Sequence, residues 1–231
     1  MVMLNPKVSV YLPTKNRLAL LKRSVNSVLV QSYNNIELII VDDGSSDGTW
    51  EFLKSLSEQD ERVRCFRNQD SRGAPFCRNI AISKACGEYL TGLDDDDYFL
   101  SDRIEKFFGF WSSCKPDVVA IYSDHSAINK AGKVKSYVRP KEAMLEMHLL
   151  RNAVGNQVFA KTETFRQLGG FDECLPVWQD YELWIRFLKM GAVIRAPFNN
   201  YVFDHSHDSE RITNAKKDKV EKAYHHIVAK H

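Results

Sequence analysis

The stretch Glu37-Leu-Ile-Ile-Val41 breaks off into Asp42-Asp43-Gly44-Ser45-Ser46-Asp47-Gly48, and few folds accommodate that junction. A short run without polar alternation needs cover on both faces, which is the pattern of a strand inside a parallel sheet. The loop after it is rich in turn-forming and capping residues. The same change of pattern recurs along the first half of the chain. Val8-Ser-Val-Tyr-Leu12 reads as a first strand stopped by Pro13, and Val63-Arg-Cys-Phe66 and Tyr89 to Leu93 read as a third and a fourth. Between them, Arg17 to Val30 sets Leu18, Leu21, Val25 and Val28 on one helical face, with Asn16 as its expected N-cap. A second helix turns Trp50, Leu53 and Leu56 inward, and a third covers Ala74 to Cys86. Strand-then-helix repeated in this way predicts a doubly wound α/β fold with a mostly parallel central sheet and right-handed crossovers.

Such sheets bind ligands beyond the carboxyl ends of their strands. Three of the predicted strands end in polar clusters, Pro13-Thr14-Lys15-Asn16-Arg17, Asp42-Asp43 and Asp94-Asp95-Asp96-Asp97, so the topology should gather all three at one rim. No GxGxxG follows the first strand, which argues against a dinucleotide site. Four adjacent carboxylates repel one another and call for a positive partner. A hard divalent cation with oxygen ligands is one answer, and a solvated acidic turn capping the helix that begins near Ser101 is the other.

The second half is less regular. Strands are expected at Asp117 to Ser123, Val134 to Val138 and Asn156 to Lys161. Helices are expected at Glu142 to Leu150, Glu163 to Leu168, Trp178 to Met190 and Thr213 to Val228, with a sharp turn at Gly169-Gly170-Phe171-Asp172. With 231 residues and neither a repeat nor a linker, a single domain over 1–231 is the expectation.

Composition narrows the function. A net charge of +2 supplies no broad field for nucleic acid, and no apolar run approaches the ~20 residues of a membrane span. Met1 to Lys7 lacks an apolar signal core, and Cys65, Cys77, Cys86, Cys114 and Cys174 show no CxxC spacing, so reduced thiols in a cytoplasmic protein are expected.

Taken in order, these segments resemble a known family: Val8 to Arg17; Val41-Asp-Asp-Gly-Ser-Ser-Asp-Gly-Thr49; Gly73-Ala74 with Arg78-Asn79; Gly87-Glu88-Tyr89 through Asp97; Gly169-Gly-Phe-Asp-Glu173; and Gln179-Asp180-Tyr-Glu-Leu183. The set is similar to the inverting, GT-A-fold nucleotide-sugar glycosyltransferases of family 2. The resemblance implies a nucleotide-sugar half over 1–97, an acceptor-binding and catalytic half over 98–210, and a C-terminal helix over 211–231. It assigns Pro13, Thr14, Asn16, Arg17, Asp42 and Asp43 to a nucleoside pocket, where a carboxylate that accepts the uracil imide would favour a uridine donor. The alternative for Asp42 and Asp43 is capping the turn before Trp50.

Arg78 would bind the diphosphate, or is a surface helix arginine. Asp96 would hold Mn2+ or Mg2+, Asp94 would face the ribose or the outer shell of the ion, and Asp95 and Asp97 would serve there or as caps. His207 would complete the metal shell or lie in an exposed loop, and the five histidines other than His205 and His207 read as surface residues. Asp180 is the implied general base, with N-capping as its alternative and Glu182 as the fallback. Trp178 and Tyr181 either stack on an acceptor sugar or belong to the core. The lysines from Lys216 to Lys222 face solvent, or meet lipid headgroups if the acceptor is lipid-linked and the protein associates peripherally with a membrane. The implied acceptor is a saccharide or a lipid-linked saccharide, as in bacterial surface polysaccharide assembly. A nucleotidyltransferase, which would want a Gly-rich loop after the first strand, and a catalytically inactive GT-A binding module are the competing readings.

Overall fold

The computed structural model describes residues 5–155, 157–207 and 217–231. Strands β1 (Val8–Thr14), β2 (Ile36–Asp42), β3 (Val63–Arg67) and β4 (Tyr89–Gly92) run parallel. Thr14 lies opposite Asp42, and Tyr11 opposite Gly92, so their C-terminal ends share one rim. Helices α1 (Leu18–Leu29) and α2 (Thr49–Gln59) cover one face, where Val10, Leu12, Leu38 and Ile40 meet Leu21, Val25, Val28 and Leu53. Helix α3 (Ala74–Lys84) covers the other, where Tyr11, Ile39 and Val41 meet Cys77, Ala81 and Ile82. Each fully buried Val, Leu or Ile stabilises by about 1.5–3 kcal/mol, and both faces of β2 contribute.

Beyond β4 the sheet is mixed. The remaining strands are β5 (Tyr98–Phe99), β6 (Val118–Asn129), β7 (Val134–Tyr137), β8 (Glu142–Ala143), β9 (Phe159–Lys161) and β10 (Ala192–His205). The order is β3-β2-β1-β4-β9-β6-β10-β5, with β7 beside β6 and β8 beside β10. β9 pairs antiparallel with both β4 and β6, and so joins the two halves. The helices of this half are α4 (Arg103–Trp111), α5 (Leu145–Leu150), α6 (Thr162–Gln167), α7 (Gln179–Met190) and α8 (Lys217–Lys230).

Several expectations change. Asn16 does not cap α1; it takes a left-handed φ of 51°, and the Leu18 N–H donates to the Asp47 carboxylate at 3.0 Å. The cap therefore comes from the loop after β2. Pro13 does not stop β1, because it lies past the last residue paired with β4 and its missing N–H opens no gap there. The expected helix from Glu142 to Leu150 divides into β8 and α5. Of the expected helix from Thr213, residues 213–216 lie outside the described residues.

Strand β10 was not foreseen. Its Pro197-Phe198-Asn199-Asn200 sit where the β6–β10 register shifts, between Ala196 and Val202. Bulges are where a sheet tolerates proline and extra residues. Nor are the other histidines all on the surface. His148 is fully buried against Tyr181, His125 packs between Tyr137 and Phe203, and His226 and His231 pair with Asp172 and Glu182.

Candidate active site

The rim is knitted from the three predicted clusters. The Thr14 hydroxyl donates to Asp95 Oδ2 at 2.8 Å, and Arg17 Nη1 donates to Asp95 Oδ1 at 2.8 Å and Asp96 Oδ2 at 3.2 Å. The Asn16 N–H donates to Ser45 Oγ, and its Oδ1 accepts from the Ser46 N–H, both at 2.8 Å. Burial pushes the Asp95 carboxyl up to about 6, although the neighbouring Arg17 guanidinium opposes the rise. Asp97 is turned away into the fold, where it accepts from the Tyr201 hydroxyl and the Asp204 N–H.

Asp42 and Asp43 reach the rim, and Asp43 is the more fully engaged of the two. Asp42 accepts from the Ser45 N–H and faces Arg67 Nε at 3.3 Å. Asp43 accepts from Asn68 Nδ2, Ser71 Oγ and the N–H groups of Arg72 and Gly73, which shapes the loop leading into α3. Burial raises its carboxyl, but those hydrogen bonds outweigh burial and hold it down at about 2. Capping before Trp50 belongs to neither, since Asp47 accepts from the Thr49 N–H and hydroxyl.

Arg78 is not a surface arginine: only 8% of it is exposed. Its Nη2 donates to Asp94 Oδ1 at 2.8 Å and its guanidinium lies over the Phe171 ring, while its buried Nε and Nη1 have no hydrogen-bond partner. Gln157 closes the same corner. It accepts from the Tyr11 hydroxyl at 2.6 Å, and its Nε2 lies 3.4 Å from Asp94 Oδ1.

Asp180 comes to this corner from the other half of the chain. It occupies the first turn of α7 and is not the N-cap; that position is Trp178. Burial lifts its carboxyl to about 6; a hydrogen bond from the Tyr181 backbone and the charge of Arg78 pull it down, and the charge of Asp94 pushes it up. The charges of Arg78 and Asp94 both act on Asp180, so its carboxyl lies within electrostatic range of that corner. Asn152 Nδ2 approaches Asp180 Oδ2 at 3.4 Å and also donates to the Gly155 carbonyl, which accepts from Trp184 Nε1 as well. Glu182, the fallback base, is fully buried and ion-paired with Arg186, Lys230 and His231, so it is a structural carboxylate.

His207 Nε2 lies 3.7 Å from Asp96 Oδ2, with little of the imidazole exposed. Two ligands at ~2.1 Å from one cation are separated by about 3 to 4.2 Å, so this carboxylate–imidazole pair fits a single Mn2+ or Mg2+. Among the described residues no three acidic, histidine or cysteine side chains form a complete metal set, so ligand oxygens would have to supply the remainder. Tyr11, Gln157 and Asn152 were missed by sequence reasoning. None belongs to a polar cluster, and only the fold carries them to the rim.

The rim thus gathers a carboxylate pair, the buried Arg78 and the half-buried Asp180 from the second half, as the resemblance to GT-A-fold glycosyltransferases implies. Comparisons with known proteins agree. The Glycosyl transferase family 2 model matches residues 9–168. WcaA of Escherichia coli K12, a glycosyl transferase named for colanic acid biosynthesis, is 32% identical over 238 residues, covering 98% of this chain and 82% of WcaA. WfgD of Escherichia coli, named as a UDP-Glc:alpha-D-GlcNAc-diphosphoundecaprenol beta-1,3-glucosyltransferase, is 30% identical over 79% of this chain and 70% of its own. Among solved structures, S. aureus TarS 1-349 with UDP-GlcNAc superposes with a TM-score of 0.76 at 20% identity, over 96% of this chain and 66% of that one. The mannosyltransferase PcManGT from Pyrobaculum calidifontis, in complex with GDP-Man and Mn2+, gives 0.64 at 19% identity, over 87% of this chain and 57% of that one. The chain belongs to glycosyl transferase family 2. Among the described residues, no helix is long and apolar enough to cross a membrane.

Proposed function

We propose that the chain moves one sugar, with inversion, from a nucleoside diphosphate donor to a hydroxyl of a saccharide or lipid-linked saccharide during surface polysaccharide assembly. The observation that carries this reading is the corner shared by Arg78, Asp94 and Asp180. A buried guanidinium with two unpartnered nitrogens is a site for phosphate oxygens, and its charge acts on an Asp180 carboxyl that burial lifts to about 6, the direction a general base needs. The names of WfgD and of the TarS complex support a uridine nucleotide, and the name of WfgD supports a lipid-linked acceptor.

In this reading Arg78 binds the diphosphate, and Asp94, held by Arg78 and Gln157, orients the ribose side of the donor. Pro13, Thr14, Asn16, Arg17, Asp42, Asp43 and Asp95 shape the nucleoside pocket. Because Asp43 is already saturated with donors, it builds the pocket wall, and the less engaged Asp42 is the better acceptor for a uracil imide. Asp96 and His207 would hold the divalent cation, Mn2+ as in the PcManGT complex or Mg2+, which supplies charge neutralisation at the leaving phosphate. Asp180 takes the proton of the acceptor hydroxyl, and burial has already raised its basicity. A cytoplasmic enzyme working at the inner face of a membrane fits a lipid-linked acceptor.

The test is a panel of nucleotide sugars scored for transfer and for slow metal-dependent hydrolysis, beside heat stabilisation by UDP with Mn2+. Asp180→Asn should abolish transfer and leave nucleotide-sugar binding near normal. Loss of both together would refute the role given to Asp180, and a wild-type chain that turns over no nucleotide sugar would refute the proposal itself.

A further inference from the structure

Helix α1 turns a second arginine toward the acidic rim, and it has no part in the proposed function. Arg23 Nη1 is ion-paired with Asp204 Oδ2 near the end of β10, and its Nη2 donates to the Asp96 carbonyl at 2.7 Å. The guanidinium also lies over the Tyr98 ring, 4.9 Å from its centroid, which restrains the fork between its two partners.

Each partner belongs to a segment that carries one of the residues given to the cation. Asp96 is itself one of them. Asp204 stands three residues before His207, and its Oδ1 accepts from the Ser206 N–H at 2.7 Å. One oxygen of this carboxylate therefore turns the chain toward His207, while the other meets α1. Asp97 seats the same strand end, accepting from the Asp204 N–H at 3.1 Å and the Tyr201 hydroxyl at 2.9 Å. Beside Arg23, the Ser24 hydroxyl lies within hydrogen-bond distance of the Asp95 and Asp97 carbonyls, so α1 also holds the acidic turn by its backbone.

The two gripped segments bring His207 Nε2 to 3.7 Å from Asp96 Oδ2. Two side chains serve one ion only at a separation that its bond lengths allow, and the groups behind them set that separation. A guanidinium suits the task because its fixed fork meets a carboxylate and a carbonyl at once, which a lysine ammonium cannot do at a set angle.

We propose that Arg23 is a positioning residue of the divalent-cation site: it ties the Asp96 backbone to the Asp204 carboxylate and so holds His207 at the spacing a single ion needs. This role rests on the proposed roles of Asp96 and His207 and adds a residue behind them. The competing role is plain neutralisation of Asp204, whose side chain is only 3% exposed.

The test reads binding and needs no turnover. Calorimetry on the full chain gives the UDP dissociation constant with excess Mn2+ and with EDTA, and their ratio is the gain that the cation confers. Arg23→Gln should lower that gain about tenfold and leave the EDTA value unchanged. Arg23→Lys keeps a charge opposite Asp204 but not the fork, so it should lose as much, and it serves equally if Arg23→Gln fails to fold. In a His207→Ala background, Arg23→Gln should cost little more, because the residue it positions is gone. A gain unchanged by Arg23→Gln, restored in full by Arg23→Lys, or lowered equally with and without His207 overturns the positioning role. If Asp96→Asn and His207→Ala both leave the gain intact, the cation site given to those two residues falls and the role of Arg23 falls with it. A gain that responds to them but not to Arg23 sinks the positioning role alone.

Discussion

Two carboxylates at the rim are displaced in opposite directions, and each displacement has its own physical cause. Asp180 is lifted to about 6 because burial penalises its charge more than Arg78 relieves it. If it is the base, kcat/KM should fall as pH drops through about 6, a limb that a pH–rate profile checks and that no acidic group at its ordinary value would produce. Because the folded form holds its proton more tightly than the unfolded chain does, Asp180 erodes stability as pH rises from the ordinary carboxylate value through about 6. Asp180→Asn should therefore raise Tm at pH 8 and change it little at pH 4, a signature of stored function that a melting series would detect. Asp43 is the reverse case. Its carboxyl is held at about 2, so its stabilisation is present above the ordinary value and is lost as pH falls toward 2. Asp43→Asn should destabilise at pH 7, with the penalty shrinking by pH 3, as urea midpoints at the two values would show.

Among the elements, β4 sets the tightest steric limit near the site. A Cβ at Gly92 would collide with Gln157 Oε1 and the Tyr11 ring, the two groups that close the Asp94 corner. Overpacking of this kind costs about 1–3 kcal/mol. Gly92→Ala should lower Tm and also weaken donor binding by pushing Gln157 off Asp94, and calorimetry with and without UDP separates the two effects. Helix α7 is the other controlling element. Its first turn carries Asp180, its Trp184 ties down the loop at Gly155, and its Glu182 is locked to Arg186 one turn later. The acid proposed as the base and the acid that holds the helix thus stand two residues apart, distinguished by which way each faces.

For the whole molecule, the C-terminal helix connects parts that are remote in the chain. Lys230 reaches both Asp172 at 2.6 Å and Glu182 at 2.9 Å, while Ala223 and Ile227 pack with Leu175, Val177 and Ile185. Asp172 belongs to the turn whose Phe171 lies beneath Arg78, and that turn is bound to Asn79 of α3 through the Phe171 N–H and carbonyl. Helix α8 therefore braces both Arg78 and Asp180 from behind. Lys230 is more than a third exposed, and such pairs contribute about 0.2–1 kcal/mol each, so Lys230→Met should lower the unfolding free energy read from a urea titration by about 1 kcal/mol. Lys230→Arg should recover most of it.

Much of this architecture was legible before any coordinates, and the limit of legibility has a physical origin. Strands β1 to β4 and helices α1 to α3 follow from apolar periodicity and turn chemistry, which act over a few residues. The carboxyl-end rule then sent Thr14, Arg17, Asp42, Asp43 and Asp94 to Asp96 to one edge without any contact being known. What the chain could not disclose locally were features made by partners far apart in sequence. Strand β10 carries Pro197 and Asn199 because β6 lies alongside and absorbs them in a bulge. Tyr11 and Gln157 are 146 positions apart, and nothing near either one announces the bond between them. Burial of Arg78, engagement of Asp43, rejection of Glu182 as a base and exposure of Trp178 were likewise decided by tertiary packing. Short-range order is written into neighbouring side chains, whereas solvent access and hydrogen-bond saturation are properties of surfaces that exist only once the two halves of the sheet have met at β9.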